Sequence, residues 1–141
     1  MSTTTRATVP DVRWLLRLDA GLETVLTVGC VILAYGLLGT DRWRVPSWLS
    51  TPVLSAVALA LLLAAALLWW LSDRPAPAPA AVRAVAVANG VTALAFLAWA
   101  IIGLGADVRL RILLAVTAVL LGVLATTQFS WTIRLSGEDA A

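Results

Sequence analysis

The sequence predicts an all-α, four-helix transmembrane bundle that runs up-down-up-down, with both termini on the same side. Three observations predict it. The chain has 141 residues, 61% of them hydrophobic, and a mean hydropathy of +0.95, where a soluble domain sits nearer 45 to 50% apolar, roughly. It contains four apolar stretches, each of about 19 residues or more, enough to cross a hydrocarbon core of ~30 Å. Short segments rich in Gly, Pro, Arg and Trp separate these stretches, and an even number of spans returns the chain to its starting side.

Residues 1–11 form a polar, Thr-rich tail that is expected to be disordered. Pro10 and Asp11 mark a helix start, with Asp11 as the cap. Helix 1 is expected over about 12–38, with Trp14 where it enters the interface. It reads as an uncleaved span. A signal-peptide core is short, uncharged and closed by small residues at a cleavage site. Here Asp19 and Glu23 interrupt the run, which continues through Tyr35.

The next segment holds Asp41, Arg42, Trp43, Arg44, Pro46 and Trp48. Tryptophans beside arginines predict a stretch lying on the lipid headgroups. Helix 2, over about 53–71, is almost purely aliphatic and ends in Trp69 and Trp70 at the interface. Its Ala56, Ala60 and Ala64, spaced by four, predict a row that lets a neighbouring backbone come close. Alternating Pro75, Pro77 and Pro79 then predict an extended, stiff hinge. Helix 3 is expected over about 82–104 and helix 4 over about 110–135. The tight turn between them makes these two antiparallel neighbours. The span 12–135 forms one membrane domain, followed by a polar tail over 136–141.

Composition excludes several classes. The net charge of +2 is small, and no basic cluster marks a nucleic-acid surface. All ten basic residues are Arg, which with the Ala content is the coding bias of a GC-rich bacterial genome. The single cysteine, Cys30, leaves no internal disulfide and no CxxC pair. Histidine is absent, so the commonest metal ligand and general base is missing. The chain has no HExxH, GxSxG or phosphate-loop motif. No metal and no cofactor is expected. Orientation follows the arginines. Six lie on the side of the termini (Arg6, Arg13, Arg17, Arg74, Arg83 and Arg134) and four on the other (Arg42, Arg44, Arg109 and Arg111). This places the termini in the cytoplasm, for a multi-pass protein of the plasma membrane.

The informative residues are polar ones within apolar runs. A carboxylate at such depth costs about 2.5–3.5 kcal/mol on insertion scales and usually faces the bundle interior. On helix 1, Asp19, Glu23, Thr27 and Cys30 share a face by their spacings of three and four. Helix 3 carries Asn89, Thr92, Phe96 and Trp99 in a stripe, and helix 4 carries Thr117, Leu121, Gln128 and Trp131. Glu23, Asn89 and Gln128 are each expected ~10 Å from the leaflet that holds the termini, at 1.5 Å per residue. Asp19 is expected nearer the interface, paired with Arg134 or Arg83 or reaching out to water. Glu23 is expected to bond Asn89 or Gln128 and to centre a site lined by Thr27, Trp99 and Trp131. The opposite half is expected to hold apolar packing only. Interhelical hydrogen bonds average about 0.6 kcal/mol in measured cases, so structure alone barely offsets the insertion of Glu23.

Arg17-Leu18-Asp19 opening helix 1, Arg83 with Asn89 in helix 3, and Gln128 in helix 4 form a pattern with a known likeness. The chain resembles uncharacterised small four-span integral membrane proteins of actinobacteria over nearly its whole length. It is broadly similar to DoxX-type four-helix bundles, without the cysteines of their redox-linked relatives. The resemblance implies the four-span fold and carries over no activity. A small multidrug-resistance transporter also has a glutamate in its first helix, but this chain is longer and lacks the rest of that pattern.

Three functional classes remain open. The leading one is a non-enzymatic membrane protein with a polar intramembrane pocket around Glu23. Its partners would be membrane lipids and a lipophilic small molecule or another membrane protein, with a homodimer as one option. The second is a proton-coupled transporter, because a protonated carboxyl both donates and accepts and so suits a proton carrier. The third is an intramembrane isomerase or cyclase using Glu23 or Asp19 as acid or base, with Asn89 and Gln128 orienting the substrate.

Overall fold

A computed structural model of the chain describes residues 11–37, 45–75 and 77–138. It contains four long helices: α1 (Val12–Ile32), α2 (Thr51–Ser72), α3 (Pro79–Ile102) and α4 (Val108–Glu138). A π-helical turn, Leu33–Leu37, extends α1. All four helices are long and apolar enough to cross a membrane. The protein is a four-helix, up-down-up-down integral membrane bundle.

Local chemistry sets the helix ends. Asp11 caps α1, its Oδ1 accepting from the Arg13 backbone N–H at 3.1 Å, which satisfies one of the free donors of the first turn. Pro52 and Pro79 sit in the first turn of α2 and α3, where a missing N–H costs nothing. At the other end of α3, Gly103 takes φ +84°, a conformation that favours glycine. Arg111 reaches back from α4 and donates through Nε to the Ala100 carbonyl at 2.7 Å and through Nη2 to the Ile101 carbonyl at 3.2 Å. A cation on the last carbonyls of a helix both satisfies them and opposes the helix dipole. Asp107 Oδ1 accepts from the Leu110 N–H at 2.9 Å, capping α4 as this turn closes.

Helices α2, α3 and α4 each bury one narrow seam, mostly with alternating spacings of four and three, while α1 buries a broader face over its first turns, at Val12, Leu15, Leu16, Asp19 and Ala20. On α2 it runs Leu54, Ala58, Leu61, Ala65, Leu68 and Ser72; on α3 it runs Val82, Ala86, Asn89, Ala93, Phe96 and Ala100. The mean spacing of 3.5 is that of left-handed helix packing. The row expected on α2 is therefore displaced. Ala56 and Ala60 are exposed and Ala64 is half-buried, while Ala58 and Ala65 are the buried alanines. Several alanines share spacings of four on this helix, and only packing decides which row faces inward. Valines and leucines remain outward on all four helices. This is the surface that hydrocarbon solvates without penalty.

The helices form two hairpins, α1 with α2 and α3 with α4, which meet along α1 and α4. Near the termini, Val12, Leu16, Ala20, Leu68 and Val82 make a cluster to which all four helices contribute, with Trp131 packed against it. In the opposite half, Ala34, Leu49 and Leu54 form one cluster and Ala100, Leu110 and Leu114 another, and Trp99 packs against both. The π turn is tied to the start of α2 by two side chains. Thr51 Oγ1 donates to the Ala34 carbonyl at 3.2 Å, and the Tyr35 and Ser55 hydroxyls meet at 3.1 Å. The expected headgroup segment falls mostly outside the described residues, which omit 38–44; the same is true of the tail before Asp11.

Candidate functional site

Polar residues occupy seam positions on three helices at one depth. Asp19 of α1 and Gln128 of α4 are 0% exposed, and Asn89 of α3 is 6% exposed. One carboxylate oxygen, Asp19 Oδ2, accepts from Asn89 Nδ2 at 2.7 Å and from Gln128 Nε2 at 2.9 Å. Asn89 Nδ2 also lies 3.3 Å from Gln128 Oε1. The triad thus joins α1 of one hairpin to both helices of the other. A polar group at a seam position finds partners in only one register, so the triad fixes how the hairpins meet.

The residue at the centre differs from the sequence expectation. Glu23 was expected to bond the two amides, and Asp19 to sit above it beside an arginine. The amides bond Asp19 instead. Helix α1 starts at Val12 with its Asp11 cap, as expected, and the residue ~10 Å from that start is Asp19; the depth expected for Glu23 was one turn too shallow. Arg83 is exposed, and the Arg134 side chain lies outside the described residues. The arginines at this rim act elsewhere. Arg13 donates to the Pro75 carbonyl, and Arg17 pairs with Asp73 at 3.2 Å. Arg17 also lies over Trp69 at 5.8 Å, and Arg74 over Trp70 at 4.1 Å.

Glu23 is half-buried, one turn deeper than Asp19 on the same side of α1. Its Oε2 and Asp19 Oδ1 are both buried without a hydrogen-bond partner among the described residues. Such acceptors are few in folded proteins, and leaving one unsatisfied costs about 1–3 kcal/mol. The neighbouring hydroxyls do not serve them. Thr24 donates to the Ala20 carbonyl and Thr27 to the Glu23 carbonyl, both at 2.8 Å. Thr117, Thr126 and Thr127 bond their own helix in the same way, as is usual for threonine inside a helix.

The other expected lining residues lie apart. Trp131 is half-buried in the cluster beside the triad. Trp99 sits in the opposite half, tilted at 36° against Trp48 with ring centroids 5.1 Å apart. Its indole Nε1 is buried and unpartnered among the described residues. Thr27 stands one turn beyond Glu23, and Cys30 packs with Ala34 and Leu54. A shallow open groove lies on the outer side of α3 and α4, lined by Ala86, Val87, Ala125, Thr126, Phe129 and Ser130; it does not include Glu23. Among the described residues no three His, Cys, Asp or Glu side chains gather as metal ligands do. No family model, no curated protein and no solved structure matches the chain.

Proposed function

We propose that this integral membrane protein is a non-enzymatic binding protein of the plasma membrane. Its intramembrane polar site, Asp19 and Glu23 backed by Asn89 and Gln128, holds a lipophilic small molecule. One observation carries the reading: two buried carboxyl oxygens, Asp19 Oδ1 and Glu23 Oε2, lie without partners on one side of α1. A purely structural triad is complete with Oδ2 alone and has no need of Glu23. A residue whose insertion is costly and which bonds no neighbour through that oxygen is better explained by a ligand than by helix packing.

The test is to purify the protein in mild detergent and identify hydrophobic molecules that accompany it by mass spectrometry. The expected result is a molecule present with wild type and lost with Glu23→Gln, at unchanged helical content. If Glu23→Leu changes neither the bound molecules nor the folding, the reading fails.

The same pair of carboxyls favours a second reading, proton-coupled transport with Glu23 as the carrier. Two carboxyl groups one turn apart on a spanning helix form a relay of the kind seen in proton pathways. This reading requires pH-driven flux in liposomes that Glu23→Gln abolishes.

A further inference from the structure

The free atoms at the Asp19–Glu23 face share one chemistry, and that defines what binds there. Asp19 Oδ1 and Glu23 Oε2 are oxygens of acidic side chains, buried and unpartnered among the described residues. Asn89 and Gln128 aim their donors at Asp19 Oδ2, the other oxygen of the carboxyl group. Thr24 and Thr27 aim theirs at backbone carbonyls. The site therefore accepts hydrogen bonds and has none directed toward these two oxygens. Residues i and i+4 of a helix carry Cβ atoms about 5–6 Å apart, so the two carboxyl groups are neighbours on one face of α1.

We propose that the site takes a lipophilic primary amine in its protonated form, whose N–H groups donate to Asp19 Oδ1 and Glu23 Oε2. The inference rests on the proposed binding function and names its ligand class. Three alternatives fit less well. A divalent metal requires more ligands than two carboxylates from one helix, and no third acidic, Cys or His side chain joins them among the described residues. A neutral alcohol donates one hydrogen bond and leaves the carboxyl charge unopposed in an apolar setting. A quaternary ammonium brings charge without a donor, so both oxygens stay unsatisfied. A protonated amine answers both needs.

Three probes of one shape separate these chemistries: 1-adamantylamine, 1-adamantanol and trimethyl(1-adamantyl)ammonium. Binding is measured by tryptophan fluorescence and calorimetry with the full chain in lipid nanodiscs. The expected result is that the amine binds roughly tenfold or more tightly than either other probe. Glu23→Gln should remove that preference. Asp19→Asn should weaken the amine while keeping the fold, because an amide oxygen can replace Oδ2 between Asn89 and Gln128.

Equal affinity for all three probes overturns the proposal. If the alcohol binds as tightly as the amine and still depends on Glu23, the amine assignment falls and the site remains. If no probe binds wild type, the assignment also falls, and the co-purification experiment then decides the site independently.

Discussion

At the residue scale, Asp19 shows how one atom carries the structural role and another is left over. Oδ2 accepts both interhelical bonds, from Asn89 and Gln128. Replacing Asp19 with Leu removes the acceptor, strands the buried Gln128 donor and leaves Asn89 Nδ2 only its 3.3 Å contact with Gln128 Oε1, so Asp19→Leu should lower stability by about 1–3 kcal/mol in a reversible unfolding assay. Asp19→Asn should cost less than about 1 kcal/mol, since its carbonyl oxygen can stand where Oδ2 stands and its amine where Oδ1 stands. A large loss from the Asn variant would mean that Oδ1, or the charge itself, holds the helices together. Asp19 and Glu23 were both visible in the sequence as carboxyl groups of one helical face. Their order of depth was legible too, with Glu23 the deeper; which of the two meets the amides was not, because that depends on how the helices are set against one another. Asn89 and Gln128 were legible as partners for a carboxyl because an amide has little other reason to lie in an aliphatic helix. That Asp19 has two oxygens with different surroundings belongs to tertiary structure alone.

At the element scale, the existence of four helices was legible from hydropathy, since a membrane admits little else. The buried face of each was legible only where polar residues marked it. On α1 and α3, Asp19 and Asn89 stand on the seam. On α2, which lacks such markers, the alanine row was placed on the wrong side, because Ala, Val and Leu serve lipid and helix equally well. The short connection between α3 and α4 depends on Arg111, whose guanidinium closes the end of α3 through the Ala100 and Ile101 carbonyls. Sequence placed Arg111 only in a loop charge count. Arg111→Ala should fray the end of α3 and cost about 0.5–2 kcal/mol, the range for helix capping and partly buried dipole contacts. Amide hydrogen exchange should then quicken in the last turn of α3 and leave the triad protected. Gly103→Ala acts on the same turn through the backbone. At φ +84° a Cβ carries strain of about 1–2 kcal/mol. Equal exchange rates in wild type and Arg111→Ala would show that the turn stands without the guanidinium.

At the scale of the whole molecule, the two hairpins are joined by fewer interactions than hold each one together. Helices α1 and α2 pack along their length, as do α3 and α4, while the hairpins meet mainly along α1 and α4. The joint has two parts at one end of the bundle: the apolar cluster of Val12, Leu16, Ala20, Leu68 and Val82, and the Asp19–Asn89–Gln128 triad beside it. Hydrocarbon offers no hydrophobic drive for helices to associate, so apolar contact contributes packing but little specificity, and the polar triad selects the partner. A chain divided after Pro75 tests this division of roles. Each half then holds one complete hairpin, and each hairpin inserts by its own hydropathy. Co-expressed halves should assemble and co-purify in mild detergent. Asp19→Leu should break that assembly while both halves remain inserted and helical. Asp19→Asn should preserve it, since the bonds to Asn89 and Gln128 survive. Retained assembly with Asp19→Leu would locate the specificity in the apolar cluster, and the triad would then be free of any structural duty, with Asp19 left to the ligand alone.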